Sequence, residues 1–161
     1  MLRVHSKSSR RHAPGGRYAI VASLYNRRYV DGMVAAAKVT LGEAKPDAVE
    51  VVRVPGAFEV PMAAAALARR EKDKPDAILC FGVIWQGETT HAQHIAEAVT
   101  RALMDLAMET GIPVIHEVLT VQTAEQARVR CLDPKTNRGV EAAATGLEMA
   151  SVLRRVRGGR R

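Results

Sequence analysis

Apolar residues along this chain follow two alternating rhythms. Residues 18–23 (Tyr-Ala-Ile-Val-Ala-Ser) form a nearly unbroken apolar run, the pattern of a buried strand. Over 27–43, Val30, Met33, Val34, Ala37 and Leu41 recur at three- and four-residue intervals, which predicts a helix. Residues 48–54 alternate and are rich in valine, predicting a second strand. Residues 60–70 are alanine-rich, with Pro61 in the first turn, where proline suits a helix start. The run 76–84 is almost wholly apolar, as expected of a central parallel strand covered on both faces. A helix over 90–109 carries Ile95, Val99, Leu103, Leu106 and Ala107 on one stripe; Gly111 ends it and 113–119 reads as a fourth strand. Beyond that strand Thr120 marks the turn into a helix, expected as a short one over 123–131. The last helix spans 139–156, with Val140, Ala143, Ala144, Leu147, Ala150 and Leu153 expected to face inward.

Strands separated by helices need crossover connections, hence a parallel sheet with helices on both faces. The order βαβαβαβαα, with right-handed crossovers, predicts an α/β fold: a flavodoxin-like three-layer αβα sandwich on a four-stranded parallel sheet. At 161 residues the chain accommodates one such domain, placed at 17–156. Residues 1–16, rich in Ser, Arg, His and Gly, read as a disordered basic arm, and 157–161 as a basic tail.

Charge refines this picture. The net charge is +7, yet ten of the bases lie in the two tails, from Arg3 to Arg17 and from Arg154 to Arg161. All 17 acidic residues fall between Asp31 and Glu148, so the body is mildly acidic. With aromatics at 4% and none ahead of Tyr18, a nucleic-acid-binding face is disfavoured. Attraction of a polyanion through the tails stays open as a separate function class. No apolar run reaches the roughly 18–20 residues of a membrane helix, and the N-terminus has no apolar core of a secretory signal, so a cytoplasmic location is the default expectation. Cys80 and Cys131 lack metal or disulfide spacing, and Cys80 reads as a small buried hydrophobe.

In a sheet of this kind, ligands bind beyond the carboxyl ends of the strands. Four loops therefore carry the candidate chemistry. After the first strand, Tyr25 could stack on a planar ligand or simply pack at the rim. After the second, Val54-Pro55-Gly56-Ala57-Phe58-Glu59-Val60-Pro61 is a rigid turn leading into a helix, and its amides and Glu59 suit a polar, hydroxylated ligand; the plainer reading makes Glu59 a cap. After the third, Gly87-Glu88-Thr89-Thr90-His91 leads into a helix whose free amides and dipole favour an anion. A positive helix end disfavours imidazolium, which fits His91 to take up a proton, although a surface histidine is the commoner fate of that residue type. Beyond the fourth strand, Arg130 or Arg138 could grip a phosphate, and His116 is either a core residue or a crevice wall. Nucleotide fingerprints and metal-spaced clusters are absent from the sequence.

These same stretches resemble the 6,7-dimethyl-8-ribityllumazine synthases: Tyr25-Asn26, the 54–61 turn, Gly87-Glu88-Thr89-Thr90-His91, Val118-Leu119-Thr120 with Glu125-Gln126-Ala127, and Asn137-Arg138-Gly139 with Glu148-Met149-Ala150. The match runs over about 17–155 in order and spacing. The resemblance implies condensation of 5-amino-6-(D-ribitylamino)uracil with 3,4-dihydroxy-2-butanone 4-phosphate, without a cofactor or metal. It implies His91 as the proton shuttle and a substrate site of Tyr25, Asn26, Ala57, Phe58, Glu59, Val83, Ile84, Trp85, Glu88, Thr89, His116, Arg130 and Arg138. Within that set Tyr25 would stack on the pyrimidine, Ala57 and Glu59 would hold the ribityl chain, and Val83 and Ile84 would border the ring. The Glu88 and Thr89 amides would receive the phosphate, with Arg130 arriving from a neighbouring subunit. His116 stands where the family usually has Phe, Trp85 and Gln86 where Ile and Arg are common, and Arg138 where Lys is common. The resemblance further implies a homo-oligomer of pentamers with sites between subunits, up to an icosahedral shell, and riboflavin synthase as a partner. A shell or binding protein that holds a lumazine or flavin without turnover is the competing class, motivated by His116 and Trp85.

Overall fold

A computed structural model describes residues 14–158; the arm and tail expected at the two ends lie, over 1–13 and 159–161, outside the described residues. The elements are β1 (Arg17–Ser23), α1 (Arg27–Glu43), β2 (Ala48–Val54), α2 (Val60–Ala68), β3 (Ala77–Trp85), α3 (His91–Thr110), β4 (Val114–Val121), α4 (Ala124–Cys131) and α5 (Arg138–Val156), with a single 3-10 turn over Ala57–Glu59 ahead of α2. All strand pairs are parallel, in the order β2-β1-β3-β4. That order begins the 2-1-3-4 arrangement of flavodoxin-like sheets.

The alternation of side chains along each strand assigns the two faces. Tyr18, Ile20, Ala22, Leu79, Phe81 and Val83 point to a core completed by α1, α4 and α5. Ala19, Val21, Ile78, Cys80, Ile84 and Val118 point to the core under α2 and α3. The central strand β3 is buried from Ala77 to Ile84, as its unbroken apolar run requires. Cys80 is fully buried in that strand, and burial pushes its thiol far above the ordinary range.

Two sequence expectations need correction. Thr120 does not leave the strand: it pairs with Ile84, Val121 pairs with Trp85, and β4 therefore runs to Val121. The helix start falls to Thr123, whose Oγ1 accepts from the Gln126 N–H at 3.1 Å. On α5 the inward face is rotated from the expected one. Val140 is 41% exposed and Ala144 is exposed, while Gly139, Ala142 and Gly146 are buried. The reason is close approach. A Cβ on Gly139 would stand 2.0 Å from the Met33 carbonyl oxygen of α1, and one on Gly146 would press Leu79 of β3 at 3.1 Å. Small residues face the neighbours because the backbones nearly touch.

Among the described residues, the first backbone hydrogen bond is from Gly15 N–H to Lys45 O at 3.0 Å, and Gly16 N donates to the Asp47 carboxylate at 2.9 Å. Both glycines take positive φ, 97° and 90°, which L side chains rarely adopt.

Candidate active site

The carboxyl ends of β1, β2 and β3 meet at one edge of the sheet, and the loops that leave them are stitched together. Leu24 N donates to Val54 O at 2.8 Å and Tyr25 N to Pro55 O at 3.0 Å, which binds the loop after β1 to the turn after β2. The Tyr25 ring then lies on Gly56: a Cβ there would come within 2.9 Å of its Cδ2. Glycine is needed for this contact, and Tyr25 keeps 67% of its surface open. Gly82 plays the matching part on β3, where a Cβ would crowd Val118 at 3.2 Å and Ala57 at 3.3 Å. The Ala57 turn therefore settles directly onto β3, beside Ser23, which is 1% exposed. Ser23 and Gly82 are not singled out in the sequence reading; a serine closing one apolar strand and a glycine inside another are the available signals.

Glu59 closes the turn by accepting from Gly56 N–H through Oε2 at 2.9 Å, so the capping role is realised. Phe58, next to it, projects outward and is 61% exposed. Val83 and Ile84, at the end of β3, are buried, with their side chains in the cores on opposite faces of the sheet. Asn26 follows Tyr25 and takes the left-handed conformation, φ 58° and ψ 35°. Its Nδ2 donates to Val83 O at 2.6 Å, and its Oδ1 accepts from Trp85 Nε1 at 2.8 Å. The Trp85 ring also meets Tyr29 edge to face, centroids 5.9 Å apart.

From Trp85 the chain passes through Gln86–Thr90 to α3. Thr90 is the N-cap residue, yet its side chain makes no capping bond. Glu88, Thr89, Thr90 and His91 are all exposed. The first-turn amides of a 20-residue helix thus open at the same edge, with His91 as its first residue.

Two of the remaining expected residues, His116 and Arg138, have partners of their own. His116 lies five positions before the end of β4, half-buried, with its Nε2 2.9 Å from Thr100 Oγ1 of α3. Burial lowers its proton affinity, which keeps the imidazole neutral. Arg138, at the start of α5, is gripped by Glu117 in bidentate fashion, Nε to Oε2 at 3.0 Å and Nη2 to Oε1 at 2.8 Å, and by Glu141 at 2.6 Å. Glu117 is only 5% exposed; desolvation holds its carboxyl above the ordinary range, while Arg138 pulls it back down. That carboxylate was missed in the sequence reading. Arg130 lies exposed in the last turn of α4.

An edge of this kind, with an aromatic wall, a rigid turn of amides, a helix opening toward solvent and a histidine at its start, suits an α/β enzyme acting on small molecules. The family model for 6,7-dimethyl-8-ribityllumazine synthase matches residues 15–154. The 6,7-dimethyl-8-ribityllumazine synthase of Xylella fastidiosa (strain 9a5c) is 39% identical over 144 residues, covering 88% of this chain and 92% of the relative. Its namesake from Xanthomonas oryzae pv. oryzae (strain PXO99A) is 37% identical over 145 residues, covering 87% and 91%. The chain belongs to the 6,7-dimethyl-8-ribityllumazine synthase family and is an enzyme of riboflavin biosynthesis.

Proposed function

We propose that the carboxyl edge of the sheet is where this chain joins 5-amino-6-(D-ribitylamino)uracil to 3,4-dihydroxy-2-butanone 4-phosphate. The observation that carries the reading is the convergence of Tyr25, resting on Gly56, with the uncapped N-terminus of α3 that begins at His91. Tyr25 offers the open aromatic face for the pyrimidine, and the backbone of Val83 and Ile84 borders the ring. The Ala57–Glu59 turn receives the ribityl hydroxyls, and Asn26 holds the loop beside it. The Glu88 and Thr89 amides receive the phosphate.

The chemistry follows from this placement. The 5-amino nitrogen attacks the ketone carbon, and loss of water gives an imine. Removal of a proton from the adjacent carbon expels phosphate, and attack of the ribitylamino nitrogen closes the ring with loss of a second water. His91 carries protons between these steps from the first turn of α3. Anion stabilisation at the helix end favours the departing phosphate. Holding two reactants together contributes the rest of the acceleration.

The site is completed by a second copy of the chain. Phe58, Pro61 and Met62 form one side of a groove of about 260 Å³, with Ala98, Val99 and Ala102 of α3 on the other. Phe58, Met62, Met104 and Met108 are 61–79% exposed, an apolar face that no described residue of this chain covers. A neighbour seated there brings its β4 edge and its α4, with His116 and Arg130, toward the edge where phosphate is held. Solution mass tests the assembly. An absorbance assay for lumazine formation by the purified chain tests the reaction, and binding of the product without turnover would establish the non-catalytic class instead.

A further inference from the structure

Asn26 occupies the N-cap position of α1 but does not cap it. An asparagine there ordinarily turns its side-chain oxygen onto the second or third helical amide. Here both ends of the carboxamide are committed across the sheet edge, Nδ2 to Val83 O at 2.6 Å and Oδ1 to Trp85 Nε1 at 2.8 Å. Trp85 in turn is steadied by the Tyr29 ring of α1, 5.9 Å away at an interplanar angle of 73°. The bridge therefore spans the end of β3 and the entry to α1, and Tyr25 immediately precedes that entry.

We propose that Trp85 is a positioning residue for the pyrimidine substrate: through Asn26 it fixes the loop that carries Tyr25 against the end of β3 at Val83 O. This rests on the assignment of the Tyr25 face to the pyrimidine in the proposed function. Without the indole N–H, Asn26 Oδ1 is free to rotate to the open amides of α1, its ordinary partner, and the left-handed turn that carries Tyr25 loosens. The indole acts on binding of the ring and not on the proton transfers, because His91 and the α3 amides lie on a separate segment beyond Gln86.

The test is Trp85→Phe, which keeps an aromatic edge for Tyr29 and removes the N–H donor together with the pyrrole ring. The KM for the pyrimidine rises at least fivefold, while kcat and the KM for the phosphorylated ketone stay within twofold. Calorimetric titration with 6,7-dimethyl-8-ribityllumazine gives a matching fivefold rise in Kd. Asn26→Asp, which still accepts from Trp85 but cannot donate to Val83 O, raises the same KM and serves if the first variant folds poorly. Equal pyrimidine KM and equal Kd in Trp85→Phe and wild type overturn the positioning role and leave the site reading intact. A uniform change in all three kinetic parameters, together with a lowered Tm, also overturns it by showing a general packing role. A wild-type protein that neither binds nor forms the lumazine sinks the site reading, and the positioning role falls with it.

Discussion

Replacing Arg138 by Met separates two roles that one guanidinium can have. Its side chain is 27% exposed and that of Glu117 is 6% exposed, and two hydrogen bonds join them. Removing one partner of a buried ion pair costs about 3–5 kcal/mol, because the other charge is left desolvated and unpaired. The partial exposure of Arg138 lets water reach the pair, so the expected loss here is about 2–3 kcal/mol. For a chain of this size that lowers Tm by about 5–10 °C, at roughly 2–4 °C per kcal/mol. Thermal scanning at a fixed protein concentration reads it, since any association adds a concentration-dependent term.

The pH dependence has a definite sign. Desolvation already raises the Glu117 proton affinity above that of an unfolded glutamate, and the Arg138 pull that opposes it is gone in the variant. The folded variant therefore binds the Glu117 proton more tightly than the unfolded chain does. The stability this confers is fully present below the unfolded carboxyl pKa and is lost as pH rises through the folded one. The Tm deficit is thus largest near neutrality and shrinks on acidification. Adding Glu117→Leu to Arg138→Met recovers at least half of the deficit, because no charge then remains buried. An unchanged Tm in Arg138→Met, with a tenfold higher KM for the phosphorylated ketone, would refute the clamp and make Arg138 a substrate contact.

The other outcomes are more direct. His91→Ala lowers kcat at least tenfold with Tm within about 2 °C, since the residue is exposed on the first turn of α3; steady-state lumazine formation and a melting scan check both halves. Arg130→Ala raises the KM for the phosphorylated substrate and leaves the pyrimidine KM and Tm in place, as an exposed residue of α4 that meets only the anion should. Gly139→Ala forces a Cβ to 2.0 Å from the Met33 carbonyl and costs more than about 3 kcal/mol, seen as a loss of soluble protein or a much lower Tm.

How far the fold is legible from the sequence depends on contrast. The apolar run of β3 and the three- and four-residue spacing in α1 are strong signals, and both elements stand where the pattern places them. The inward face of α5 is not legible in the same way. Gly139 and Gly146 carry no hydrophobic signal, and in an alanine-rich helix Ala142 and Ala144 look alike. What distinguishes them is the 2.0 Å and 3.1 Å clearance to α1 and β3, a property of the packed pair of elements. The end of β4 was misplaced for a related reason: a polar threonine reads as a turn residue until its partner Ile84 is known.

The candidate site divides along the same line. Residues that act through the loop they sit on, such as Tyr25 after β1 or His91 at the head of α3, can be found by asking which loops leave the carboxyl edge. Residues that act in pairs cannot. Trp85 and Asn26 are 59 positions apart, and Glu117 and Arg138 are 21 apart; nothing local marks them as partners. The consequence for Arg138 is specific. From the sequence it is a cation beside a glycine and an asparagine, equally suited to a phosphate or to a carboxylate. Only the register of β4 decides, since it turns Glu117 toward α5 and leaves His116, one residue earlier, facing Thr100 of α3. A shift of one residue in that strand would exchange the two side chains. The guanidinium would then lose its buried carboxylate and keep only Glu141, one turn along α5. The partner of Arg138 is thus set by strand register as much as by composition.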